Sequence, residues 1–181
     1  MNREQFVHVI QAAADVVDDE LVVVGSQAIL ASVAEPPEAL VRSAELDIYP
    51  KTDPDRAVEL DRNIGEGSLF HTTHGYYAHG VGPETITAPA GWESRLVKFT
   101  AAPIRRRGGE AVGWCLSLED LMLAKLAAAR AHDVEFVEAA LVEGLVTVDE
   151  LDRGIPMMRP SARAPVKELL DGLAAKVSRT G

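Results

Sequence analysis

The sequence predicts an α+β fold: a mixed β-sheet with helices packed on it and a helical portion at the carboxy-terminal end. Three observations carry this expectation. The first fifty residues pair helical periodicity with short apolar runs. Residues 64–114 are rich in β-forming residues punctuated by glycines, and the last third places apolar residues at helical spacing.

Taken in order, Phe6, Val9, Ile10, Ala13, Val16 and Val17 recur at helical spacing, so an amphipathic helix is expected over 3–18. Leu21-Val22-Val23-Val24 reads as a buried strand stopped by Gly25, with Ser26 as N-cap of a helix through residues 27–31. Pro36-Pro37 breaks that helix, and a polar stretch leads to a strand over Glu45–Tyr49 that Pro50 ends. Asp53-Pro54 has the form of an N-cap and first helical residue for a helix over 54–63. In the middle, Ser68–Thr73, Tyr76–Val81, Trp92–Thr100 and Glu110–Cys115 are expected as antiparallel strands, with Arg107-Gly108-Gly109-Glu110 as a hairpin turn. Ser117 to Asp120 has capping-box spacing with Asp in place of Glu, and opens a helix carrying Leu118, Leu121, Met122, Lys125, Leu126 and Ala129. Further helices are expected over 132–142, 147–153 and 162–178. Residues 1–116 would form an α/β core and 117–181 a helical portion packed with it as one globular unit.

At 181 residues the chain is long enough to bury a core without disulfides. Apolar residues make up 47 %, which excludes a disordered chain, whereas 5 % aromatics argue against a base-stacking platform. A net charge of −10 makes the chain a poor general binder of nucleic acid while leaving room for a local basic pocket. The single cysteine, Cys115, sits in an apolar stretch and is expected as a buried thiol. The charged start Met1-Asn2-Arg3-Glu4 has no apolar core of a signal peptide, and no stretch is apolar enough to span a membrane. A cytoplasmic protein with no membrane partner is the expectation.

The chemistry centres on Glu45 and Asp47. Residues i and i+2 of a strand share a face, so the two carboxylates would lie side by side as hard oxygen ligands suited to Mg²⁺. A Gly25-Ser26 turn on a neighbouring strand could hold a phosphate beside such an ion. The plainer alternative leaves Gly25 as a turn residue and the acids as solvated strand-edge charges. His71, His74 and His79 are three of the five histidines and fall within nine residues. That density suggests zinc, but edge-strand histidines bonded to water are the preferred account, because no second cysteine completes a site. Arg105-Arg106-Arg107, the only basic run, is either a phosphate or RNA contact or a charged hairpin tip that blocks edge pairing. Lys125 and Asp133, eight residues apart, would share a face of one continuous helix, and taken alone read as a surface ion pair on it or across a kink.

The succession Val22-Val23-Val24-Gly25-Ser26, a helix, then Glu45-Leu46-Asp47-Ile48 resembles the nucleotidyltransferase superfamily of the polymerase-β type. Within it, the chain resembles an uncharacterised bacterial nucleotidyltransferase-like group related to abortive-infection and type IV toxin–antitoxin toxins. Phe70–Val81, Pro89–Leu96 and Leu118–Leu126 look like segments of that group, Arg130 and Asp133 follow at the matching distance, and the likeness spans roughly residues 5–140. The resemblance implies a nucleotidyltransferase-like mixed sheet. It further implies Mg²⁺-dependent, or Mn²⁺-dependent, transfer of a nucleotidyl group from a nucleoside triphosphate to an RNA or protein acceptor, in a toxin–antitoxin or phage-defence setting with a cognate antitoxin. By the same resemblance Glu45 and Asp47 would bind the metal and act in catalysis. Gly25 and Ser26 would contact the phosphates, with Arg42, Ser43 and Arg130 as further nucleotide contacts. Lys125 would neutralise the triphosphate and act in catalysis with the two acids, and Asp133 would orient the triphosphate or a neighbouring base. Three features depart from the superfamily pattern. Glu45 stands in place of Asp, eighteen residues separate Ser26 from Glu45, and His79 is the candidate where another carboxylate would be expected. They motivate a second hypothesis: a catalytically inactive module that keeps the fold to bind a nucleotide or a partner.

Overall fold

The computed structural model describes residues 1–101 and 109–179. The Arg105-Arg106-Arg107 run, and the first half of the expected hairpin turn at 107–110, lie outside the described residues. The chain divides into two compact units. One comprises Met1–Thr85 and Leu96–Leu116, the other Ile86–Arg95 and Ser117–Gly181.

The first unit carries a five-stranded mixed sheet of order β3-β2-β1-β5-β4. Helix α1 (Arg3–Val17) starts at a capping box, Asn2 with Gln5, and buries Phe6, Val9, Ile10, Ala13 and Val17. Strand β1 (Leu21–Val23) is buried throughout and lies at the centre of the sheet, antiparallel to β2 (Glu45–Pro50) and parallel to β5 (Ala111–Cys115). An apolar run without alternation suits a strand covered on both faces. In β2 the alternation appears: Leu46 and Ile48 are fully buried, while Glu45 and Asp47 are half-buried. Cys115 is buried, and burial pushes its thiol far up, so it is chemically quiet as expected.

Several local expectations are corrected. Gly25, extended at φ −83°, takes the cap position, and Ser26 is the first residue of a 3₁₀ turn, Ser26–Ala28, followed by the single turn α2 (Ile29–Ser32). Pro54–Arg56 forms another 3₁₀ turn before α3 (Ala57–Ile64), and Asp53 makes no side-chain cap. Residues 68–73 are not a strand. Helix α4 (Leu69–His74) is capped by the Ser68 hydroxyl, which accepts from the His71 amide at 3.1 Å, and stops at Gly75 with φ 78°. The hydroxyls of Thr72 and Thr73 donate to the carbonyls of Ser68 and Leu69 at 2.8 and 2.7 Å, which helps two β-branched residues sit in a helix. The next strand, β3 (Tyr77–Gly80), pairs parallel to β2, not antiparallel. Of the stretch 92–100, Trp92–Arg95 is a 3₁₀ turn in the second unit, and only β4 (Val97–Ala101) is extended, antiparallel to β5.

The second unit is helical: α5 (Leu118–Ala128), α6 (Ala131–Val142), α7 (Val148–Gly154) and α8 (Pro160–Val177). Ser117 caps α5 by accepting from the Asp120 amide at 3.2 Å. The Asp120 carboxylate is bound in a fork by Arg95 at 2.8 and 2.9 Å. Ala129 takes a left-handed φ of 54°, so Lys125 and Asp133 lie on two helices and not on one. Among the described residues no helix is long and apolar enough to cross a membrane.

Candidate metal and nucleotide site

The parallel register of β2 and β3 builds the site. It sets Glu45 opposite Tyr77 and Asp47 opposite His79, so the period-two alternation of both strands brings four polar side chains to one face. The buried Leu46, Ile48 and Ala78 occupy the intervening positions. One ligand atom each from Glu45, Asp47 and His79 lie within 4.8 Å of one another.

Partners hold each of these groups. The Asp47 carbonyl accepts from the Val24 amide at 3.0 Å, tying the acidic strand to the end of β1. Asp47 Oδ1 lies 2.9 Å from His79 Nδ1. Partial burial pulls the His79 pKa down, but the Asp47 hydrogen bond and the charges of Asp47, Asp61 and Glu45 outweigh it, and the net shift is upward. The Tyr77 hydroxyl donates to Glu45 Oε2 at 3.2 Å. Burial, with the Glu45 charge and its hydrogen bond behind it, pushes the phenol up to about 12, which keeps it a donor at neutral pH. Gly25 packs against Asp47 so closely that a Cβ there would fall 1.9 Å from Oδ2. The Gly25-Ser26 turn therefore sits directly beside the Asp47 carboxylate.

The donor set fits a divalent cation. An octahedral ion with bonds of about 2.1 Å separates its ligand atoms by about 3.0 Å when adjacent and about 4.2 Å when opposite, so a cluster within 4.8 Å closes on one ion by small side-chain rotations. Carboxylate oxygens suit Mg²⁺, and the imidazole admits Mn²⁺.

The other sequence-predicted residues divide between the units. Ser43, in the first unit, accepts from the Glu45 amide at 3.1 Å, and its carbonyl accepts from the Gln27 side chain at 3.4 Å. Gln27 thereby joins the Gly-Ser turn to the segment that enters β2. Arg42 is exposed. Lys125, Arg130 and Asp133 belong to the second unit. Lys125 Nζ donates to Asp133 Oδ1 at 2.7 Å and lies 4.4 Å from the centre of the Phe136 ring. Both partners are buried, so this is not the surface pair that spacing suggests, while Arg130 is exposed. Asp133 Oδ2 is buried without a hydrogen-bond partner among the described residues.

The three clustered histidines do not converge. His71 and His74 lie on α4, where His71 Nδ1 accepts from the Gly67 amide and His74 packs edge-on against His8. Only His79 joins the carboxylates. Two residues escaped sequence reasoning. Tyr77 shares the parity of His79 on β3, a signal that becomes readable once the register is known. Asp61 accepts from the Gly80 amide at 2.8 Å and adds negative charge near His79.

A mixed sheet bearing an acidic strand beside a Gly-Ser turn defines a protein of the nucleotidyltransferase-like class. Residues 4–163 match the model of a family described as nucleotidyltransferase of unknown function (DUF6036), and the chain belongs to that family. No curated protein and no solved structure gives a significant match to the chain.

Proposed function

We propose that the chain is a divalent-metal-dependent nucleotidyltransferase that moves a nucleotidyl group from a nucleoside triphosphate to a hydroxyl of an RNA or protein acceptor. The observation that carries this reading is the convergence of Glu45, Asp47 and His79 within 4.8 Å, beside the Gly25-Ser26 turn. An Mg²⁺ or Mn²⁺ ion held there would supply charge stabilisation at the phosphorus and at the attacking oxygen. Glu45 and Asp47 serve as its oxygen ligands and His79 as the third donor. Gly25, lacking a side chain, brings the turn against Asp47, and Gly25 and Ser26 contact the phosphates, Ser26 through its hydroxyl and amide. Arg42 and Ser43 flank the entry to β2 and contact the same nucleotide. In the reaction the acceptor hydroxyl gives up its proton to solvent as its oxygen bonds to the α-phosphorus, the bond from that phosphorus to the bridging oxygen breaks, and pyrophosphate leaves.

Lys125, Arg130 and Asp133 are carried over from the family resemblance as triphosphate-binding and orienting groups. From the same resemblance we propose a cellular role as the toxin of a toxin–antitoxin or phage-defence pair, with an antitoxin as partner.

Asp47→Ala is expected to abolish metal-dependent labelling of acceptors by radiolabelled nucleoside triphosphate. Equal labelling by wild type and variant would sink the proposal. A second reading follows from His79 standing in place of a third carboxylate: binding of nucleotide and metal by calorimetry, with no transfer to any acceptor, assigns the chain to a nucleotide-binding module instead.

A further inference from the structure

We infer that Tyr77 is a positioning residue for the metal site, holding the Glu45 carboxylate in the place that a shorter aspartate would otherwise fill. The inference rests on Glu45, Asp47 and His79 being a divalent-cation site. Tyr77 stands directly opposite Glu45 in the β2–β3 register, and its hydroxyl donates to Oε2 at 3.2 Å. The phenol is itself restrained. Its ring packs against His71 with centroids 4.6 Å apart, and His71 is fixed by the Gly67 amide donating to Nδ1 at 3.0 Å.

Glutamate has one more rotatable bond than aspartate, so an untethered Glu45 would spread its oxygens over several positions. Asp47 needs no such tether. Its shorter side chain is set by the strand, and one of its oxygens lies 2.9 Å from His79. A carboxylate offers about four lone-pair positions, so the one Tyr77 takes leaves the rest for an ion. Partners that orient metal ligands in this way typically change affinity by about 10- to 100-fold when removed.

Mn²⁺ binding to the full chain, read from the electron paramagnetic resonance of the free ion, tests this. Wild type is compared with Asp47→Asn, Tyr77→Phe, Glu45→Gln and the double variant Glu45→Gln/Tyr77→Phe. Tyr77→Phe keeps the ring against His71, and a thermal melt near wild type confirms that the fold is intact. The expected result is loss of binding in Asp47→Asn, an affinity about 10-fold weaker in Tyr77→Phe, and no further weakening when Tyr77→Phe is added to Glu45→Gln. If Asp47→Asn binds like wild type, the metal-site reading fails and this inference with it. If Asp47→Asn loses binding while Tyr77→Phe stays within about twofold of wild type, the metal site stands and the role of Tyr77 is overturned. That role is overturned as well if Tyr77→Phe weakens binding equally with and without the Glu45 carboxylate, because it would then not act through Glu45.

Discussion

Gly25 shows how one residue couples backbone shape to chemistry. Its φ of −83° is open to any residue, so the requirement for glycine is spatial. The missing Cβ is what allows Asp47 Oδ2 to lie where it does. Gly25→Ala must therefore rotate the Asp47 carboxylate or shift the turn. Overpacking of this kind costs on the order of 1–3 kcal/mol, and it displaces a metal ligand as well. The expected outcome is a urea midpoint shifted to lower concentration together with Mn²⁺ affinity weakened at least about 10-fold. An alanine variant that binds Mn²⁺ as wild type does would refute the close-approach argument. This part of the site was legible in the sequence, because the i, i+2 parity of Glu45 and Asp47 follows from strand geometry alone. Tyr77 was not legible. Its role depends on which strand pairs with β2 and in what register, and β3 lies some thirty residues downstream.

At the scale of elements, periodicity located most of the secondary structure and failed where local bonding outweighed propensity. Leu69–His74 has the composition of a strand, yet Ser68 and Gly75 supply a start and a stop, and two threonine hydroxyls bond back into the turn. The signal was present as a cap pair, although the aromatic and β-branched content masked it. Strand direction was beyond the sequence for a different reason. Parallel and antiparallel pairing of a short strand bury the same residues, and connection geometry decides between them.

One surface cluster ties three strands together. Glu20, which precedes β1, accepts from Lys51 Nζ at 2.8 Å, just past β2, and from the Trp114 indole of β5 at 2.7 Å. The hydrogen bonds from Lys51 and then Trp114 hold the Glu20 carboxyl below its usual range. Such a group contributes stability above its unfolded pKa of about 4.3 and loses it as pH falls through the lower folded value. Glu20→Gln is expected to flatten the decline of stability below about pH 4.3, as followed by urea unfolding at a series of pH values. An unchanged slope would mean that water screens the cluster fully, its side chains being 41 % and 43 % exposed.

For the molecule as a whole, the division of the chain differs from its order in sequence. Residues 86–95 leave the sheet-bearing unit and join the helices, before the chain returns for β4 and β5. Composition gave no hint of this, since 86–95 contains neither a linker-like run nor a helical period. Specific bonds hold the excursion. Arg95 grips Asp120 in a fork and donates to the carbonyls of Pro89 and Ala90, while the Ala90 amide donates to the Met157 carbonyl at 2.8 Å. Asp120 is 3 % exposed and Arg95 38 %, so Arg95→Met strands a buried carboxylate while removing a partly solvated cation. A loss of about 2–3 kcal/mol follows, below the range for a fully buried pair because water already screens the arginine. If the two units open separately, that loss belongs to the helical one. Amides of Ala90 and of α5 should then exchange with solvent deuterium roughly 30- to 150-fold faster in Arg95→Met, while those of β1 and β2 keep their protection. Hydrogen exchange read by mass spectrometry distinguishes the outcomes. Equal acceleration in both sets would mean that the chain opens as a single cooperative body, and that the fork between Arg95 and Asp120 stabilises the sheet as much as the helices.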